Sequence, residues 1–301
     1  MNERKTMGFF ENRYQKICPD FTTDVQERAA LRVNTLKIDE PALVKRLQAK
    51  KVTLEKIPYV QHGYYSEAKF SLGATPEYLQ GLYYLQGAAS QVVAELLDPQ
   101  PGDHVLDMAA APGSKTTHMA QLLQNTGTII ALDTNTQRLA ALRNNCERLL
   151  VRNVVMLKKD ARFVKDAGLT FDKILLDAPC SGNFCSEEGW LLKRQISDIK
   201  ANARVQRELL KAAYSVLKPG GTFVYSTCSL EPEEDELVVD WILERHDDLE
   251  LVDIKLPVGD AGVTAWDGKP LNPSLSKTRR FWPHKTQTEG FFVAKMKKKD
   301  V

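Results

Sequence analysis

The stretch 104–123, HVLDMAAAPGSKTTHMAQLL, decides the architecture. A short apolar run passes directly into small residues and a Pro-Gly turn, and the helical pattern that follows places Ser114 at its cap. A strand that turns into a helix through residues without bulk is the opening unit of a parallel α/β sheet. Small side chains and Gly113 let a ligand approach the backbone at the carboxyl edge of that sheet. The turn matches neither a Walker loop nor GxGxxG, which weakens the phosphate-binding readings.

Downstream the alternation continues. TIIALD (128–133), VVMLKKD (154–160), FDKILLDAPCS (171–181) and TFVYSTCS (222–229) read as strands. TQRLAALRNNCERLL (136–150) and an amphipathic stretch over 197–217, stopped by Lys218-Pro-Gly-Gly, read as the helices between them. EPEEDELVVDWILERH (231–246) reads as a helix whose acidic first turn suits the macrodipole, and LELVDI (249–254) and GFFVAKMKK (290–298) as closing strands. This pattern predicts an α/β fold with a mostly parallel, doubly wound sheet over residues 98–301. Residues 1–97, with LRVNTLKI, PALVKRLQAK and VTLEKIPYV, predict a small α+β extension. Residues 258–289, rich in Pro, Gly, Ser and Thr, predict a long insertion of the functional or mobile kind.

Two acids are spaced as a nucleoside site requires. Asp133 ends the second strand, where a carboxylate can accept both ribose hydroxyls, and Asp160 ends the third, within reach of an adenine amino group. The bland alternative for each is a helix cap or a solvated turn.

Composition bounds the rest. Of the 301 residues, 43% are hydrophobic and 27% charged, which excludes extensive disorder; the formal net charge of +2 requires any nucleic-acid contact to come from local clusters. The opening MNERKTMGFFENRYQ lacks the apolar core of a signal peptide and no run reaches membrane-spanning length, so a cytoplasmic monomer without membrane contact is expected. Five cysteines, at 18, 146, 180, 185 and 228, are odd in number and widely spaced. Without a CxxC pair they support neither a disulfide framework nor a metal centre. Cys180 and Cys228 each end an apolar run. A free thiol in that place is ordinarily a small core residue, but two of them, one beside Asp-Ala-Pro, point to catalysis.

Taken together, DMAAAPGSKT (107–116), DAPCSG (177–182) and YSTCSLEPEED (225–235) resemble the RNA 5-methylcytosine methyltransferases of the NOL1/NOP2/Sun family, over residues 86–298. Met108 and Ser114 depart from the family's common cysteine and glycine. The resemblance implies a Rossmann-like class I fold, S-adenosylmethionine as methyl donor and cytosine carbon 5 of RNA, tRNA ahead of rRNA, as acceptor. It implies a cofactor site made by Ala109, Ala110, Ala111, Pro112, Gly113, Ser114, Lys115, Asp133, Arg138, Asp160 and Asp177. It further implies Cys228 as the nucleophile that adds to carbon 6, Cys180 as the thiol assisting elimination and product release, Asp177 as the base contact, and Lys115 as a charge at the reacting centre. Residues 1–97 would be the RNA-contacting extension. The rivals are a DNA cytosine-5 methyltransferase using Cys180, against which YSTCS speaks, and a non-catalytic RNA-binding protein that keeps the fold.

Basic residues cluster at Lys45, Arg46, Lys50, Lys51 and Lys56, at Lys193 and Arg194, and in KTRRFWPHK (277–285). Aromatic residues interleaved with cations suit base stacking and phosphate neutralisation, so Arg279, Arg280 and Trp282 are the expected RNA contacts.

Overall fold

A computed structural model describes residues 8–300; residues 1–7 of the expected extension, on which the expectation of no signal peptide rests, lie outside them. Helix α1 (Phe9–Ile17) is followed by a four-stranded antiparallel sheet of order β2-β3-β1-β4, built from β1 (Ala30–Val33), β2 (Thr53–Lys56), β3 (Gly63–Glu67) and β4 (Tyr83–Leu85). Helix α2 (Glu40–Ala49) starts on Pro41 and buries Leu43 and Leu47 against Leu31, Val33 and Tyr83, while a short α3 (Pro76–Leu79) closes one end.

Helix α4 (Ala88–Leu97) joins the two units. It buries seven of its ten residues among Val105, Met119, Val224 and Val293 on one side and Ile57 and Val60 on the other, so one apolar core runs through both.

The main sheet contains β5 (His104–Asp107), β6 (Thr128–Asp133), β7 (Val154–Lys158), β8 (Phe171–Asp177) and β9 (Leu217–Thr227), parallel in the order β7-β6-β5-β8-β9. Helices α5 (Ser114–Leu122), α6 (Thr136–Leu149) and α8 (Ile196–Val216) lie in the crossovers, with a one-turn α7 (Trp190–Lys193) before α8 and α9 (Glu236–Leu243) after β9. The sheet is completed by β10 (Leu249–Leu251), β11 (Asp260–Ala261), β14 (Arg279–Phe281) and β15 (Phe291–Lys298), with β15 antiparallel beside β9. This is a Rossmann-like class I architecture: parallel strands with helices on both faces and an antiparallel closing strand.

The cap of α5 is Gly113 and not Ser114. Gly113 has φ of +109°, and a Cβ there would stand 2.5 Å from the Leu142 side chain, so only glycine fits the turn. Residues 258–289, expected as a long insertion, carry short elements of their own: β11 and β14 extend the sheet, β12 (Ala265–Trp266) and β13 (Lys269–Pro270) form a hairpin, and a one-turn α10 (Pro283–Thr286) follows. The helix expected from 231 begins at Glu236, and Glu231, Glu234, Asp235 and Glu236 are all fully buried.

Candidate active site

The parallel order brings the carboxyl ends of β5, β6, β7 and β8 to one edge, where a cleft of about 580 Å³ opens, within the range of small-ligand sites. Its walls include Ala109, Ala111, Pro112, Ser114, Lys115, Asp133, Arg138, Asp160, Asp177, Cys180 and Cys228; Ala110 and Gly113 lie behind it in the same turn. The Asp133 carboxylate is buried at the tip of β6. It accepts from the Asn135 backbone N–H at 2.8 Å, and its other oxygen is 3.5 Å from Arg138, a length that leaves it free for stronger donors. Arg138 also donates to the Ala111 carbonyl and so steadies the first turn. Asp160 accepts from the Arg162 backbone N–H at 2.9 Å and is ion-paired with its guanidinium at 2.6 Å.

At the other end of the cleft the two thiols meet, Cys180 Sγ standing 3.0 Å from Cys228 Sγ. They belong to the loops after β8 and β9, neighbouring parallel strands whose register sets Asp177 opposite Ser226. Between them and α5, Lys115 donates to Asp177 Oδ2 at 2.7 Å, and the Ser226 hydroxyl donates to Oδ1 at 2.7 Å. Burial alone would make the Lys115 ammonium less basic; Asp177, Cys228 and Glu289 outweigh it and raise its pKa. The Cys180 thiol donates a hydrogen bond that lowers the Cys228 pKa. Lys115 acts in the same direction, against burial and Asp177. The same bond, with burial, raises Cys180. The pair therefore ionises at Cys228 first, with Cys180 holding the proton.

Buried acids fix the two loops. Glu234 accepts from the Ser181 N–H at 3.1 Å and from its hydroxyl at 2.7 Å, which anchors the residue after Cys180. Thr227, the residue before Cys228, donates to Asp235 at 2.6 Å. Asn183 donates to the Cys228 carbonyl at 2.7 Å and to that of Gly290 at 3.1 Å, and Trp190 Nε1 reaches the Ser181 carbonyl at 2.7 Å. An acidic run looks solvated in sequence, so none of these anchors was expected; the only signal was that EPEED follows the cysteine directly.

The expected RNA contacts at 279–282 separate on inspection. Arg280 and Trp282 are only 0% and 1% exposed, and Phe281 is buried with them. Arg280 sits between Glu236, with which it is ion-paired, and Asp235 at 3.3 Å. Trp282 packs with Tyr14 and Phe21 from the chain's first residues. Both are removed from the RNA-binding assignment: pairing of β14 with β15 carries Arg280 into the core, and Trp282, just after β14, is covered by Tyr14 and Phe21. Arg279 stays half-buried, 4.0 Å from Asp253.

Comparison with known proteins follows the same division of the chain. Residues 94–297 match the family model described as 16S rRNA methyltransferase RsmB/F, and residues 8–88 match the N-terminal domain of 16S rRNA methyltransferase RsmF. The chain is 41% identical to the 25S rRNA (cytosine-C(5))-methyltransferase nop2 of Schizosaccharomyces pombe, over 89% of this chain and 46% of that one. It thus spans less than half of that relative's length. It is 39% identical to the tRNA (cytosine(49)-C(5))-methyltransferase of Pyrococcus abyssi, over 90% and 88%. Among solved structures, a methyltransferase homolog protein from Pyrococcus horikoshii superposes with a TM-score of 0.83 at 43% identity, covering 90% of this chain and 87% of that one. NSun6 from the same organism, solved with SFG, gives 0.80 at 31% identity, with 91% of each chain covered.

Proposed function

Because the chain belongs to the RsmB/F family of RNA 5-methylcytosine methyltransferases, the NOL1/NOP2/Sun group, we propose that it transfers a methyl group from S-adenosylmethionine to carbon 5 of cytosine in RNA, through a covalent adduct on Cys228. The observation that carries the reading is the thiol pair: two sulfurs 3.0 Å apart at the ends of neighbouring parallel strands, both lining the cleft that Asp133, Asp160, Lys115 and Asp177 also line.

The cleft fits the cofactor. Ala109 and Ala111 leave room along the turn, and Asp133 is a buried carboxylate with acceptor capacity for a ribose diol, with Asp160 beyond it. When bound, S-adenosylmethionine supplies an electrophilic methyl group on sulfur. The protein's part is to make carbon 5 nucleophilic. Cys228 sulfur bonds to carbon 6 as the carbon 5–carbon 6 electron pair is displaced into the ring; the Lys115 ammonium balances the charge that develops, while Asp177, 2.7 Å from it, accepts from the exocyclic amine and orients the base. After methylation a base, Asp177 or water, takes the carbon 5 proton, the freed pair re-forms the carbon 5–carbon 6 double bond, and Cys228 leaves as a thiolate that the Cys180 thiol can hydrogen-bond. Cys180 lies beside the departing sulfur, where it assists that elimination and product release.

Residues 8–97 serve as the RNA-contacting unit. With Arg280 and Trp282 excluded, the face that suits phosphates is that of α2 and the turn after it, where Lys45, Arg46 and Lys51 are exposed. The substrate is tRNA in the first place, since the Pyrococcus abyssi relative named for tRNA cytosine 49 matches over 88% of its own length. Ribosomal RNA is the second reading, carried by the family model's description. Incubation with S-adenosylmethionine and unmodified tRNA, followed by nucleoside mass spectrometry, tests the proposal. 5-Methylcytidine is expected; its absence from both tRNA and rRNA with the cofactor bound would leave a non-catalytic RNA-binding protein.

A further inference from the structure

Arg32, in β1 of the N-terminal unit, is 2% exposed, and the oxygens it meets are neutral. Its guanidinium donates to Gln86 Oε1 at 3.0 Å, to Gln121 Oε1 at 2.5 Å and to Thr117 Oγ1 at 3.0 Å, and lies 3.5 Å from the Ser114 carbonyl. Burial lowers its pKa to about 9. A buried cation whose hydrogen-bond acceptors are all neutral is expensive, even with the Tyr84 ring 5.8 Å away and Glu95 acting in its favour, and its contacts run along α5 from the Ser114 carbonyl through Thr117 to Gln121. Stability alone therefore does not explain the placement.

Geometry does. Ser114 immediately precedes Lys115, whose ammonium reaches Asp177, and the turn that lines the cleft ends at this first helical residue. Gln86, which accepts from Arg32, donates to the Ser90 carbonyl, so the first turn of α4 is tied to the same point. We propose that Arg32 is a positioning residue, through which the N-terminal unit holds the start of α5 so that Lys115 and the cofactor turn face the reacting centre. The inference rests on the reading of the cleft as a methyl-transfer site, but its central observable, the setting of Lys115 against Cys228, does not require the cofactor.

The test compares full-length wild type with Arg32→Gln, Arg32→Lys and the milder Thr117→Val. Folding is checked by thermal unfolding, and the pH dependence of Cys228 alkylation by iodoacetamide is measured without cofactor. In folded variants the alkylation midpoint is expected to move to higher pH, as Lys115 loses its place, in the order Arg32→Gln, then Arg32→Lys, then Thr117→Val. With S-adenosylmethionine and tRNA added, kcat/KM for the cofactor should fall by on the order of tenfold to a hundredfold in Arg32→Gln. Arg32→Lys should recover part of it. Should Arg32→Gln fail to fold, Thr117→Val decides. An alkylation profile unchanged from wild type in every folded variant would overturn the inference. If wild type bound no S-adenosylmethionine, the proposed function would fall, while the alkylation profile would still decide the role of Arg32.

Discussion

A thiol 3.0 Å from another thiol can share one proton with it but cannot tolerate a second negative charge. That constraint divides the labour between Cys228 and Cys180: the hydrogen bond between the thiols and the Lys115 charge lower the pKa of Cys228, while the same bond and burial raise that of Cys180. The alkylation midpoint of Cys228 should accordingly lie below that of an ordinary thiol and rise in Cys180→Ala and in Lys115→Met. A wild-type midpoint at or above 9 would contradict this account of the pair. Behind them Asp107, buried and accepting from Thr116 at 2.7 Å, has its carboxyl raised from 3.8 to about 6, chiefly by burial. A carboxyl whose folded pKa exceeds its unfolded one favours folding when protonated. Its contribution is therefore present below pH 4 and lost as pH rises through 6. Unfolding free energies of Asp107→Asn and wild type should diverge across that window, the variant losing less stability; parallel curves would place the titration elsewhere.

At the scale of elements, the clamp between β14 and the start of α9 holds the loop that presents Cys228. Arg280 would be less basic on burial alone, but Glu236 and Asp235 more than compensate. Truncating it leaves two buried carboxylates unpaired. Arg280→Met should therefore cost about 3–5 kcal/mol in denaturant unfolding, whereas Arg279→Ala should stay within about 0.5 kcal/mol. Equal effects would remove the clamp from the account. Helix α2 carries the electrostatic counterpart. Replacing Lys45, Arg46 and Lys51 with alanine should weaken tRNA binding and flatten its salt dependence, by a slope of about 2 if all three meet phosphates. An unchanged slope would return them to the solvated face. These two elements mark how far the sequence could be read. The strand-ending Asp133 and Asp177 and the thiols were legible, because a parallel sheet sends all its strand ends to one edge. Arg280, Trp282 and the acids from Glu231 to Glu236 were not. A charged or aromatic residue looks solvent-facing until its partners, 40 or more positions away, are known to neutralise it.

Over the whole molecule, one apolar core crosses from the N-terminal sheet through α4 to the main sheet, and α1 is tied to the loop after Cys228 by Arg13, paired with Glu231 at 2.8 Å and Glu233 at 2.7 Å. No helix of the described residues is long and apolar enough to cross a membrane. The molecule thus presents the thiol pair from a scaffold in which both units take part. Its central claim is that Cys228, and not Cys180, makes the bond to RNA. The most direct measurement is intact-protein mass spectrometry of the full chain after incubation with tRNA and S-adenosylmethionine, under denaturing conditions, for wild type, Cys180→Ala, Cys228→Ala and the double variant. A nucleotide-bearing mass should accumulate in Cys180→Ala, map to the peptide containing Cys228, and be missing from Cys228→Ala and from the double variant. An adduct that maps to Cys180 and persists without Cys228 would contradict the account.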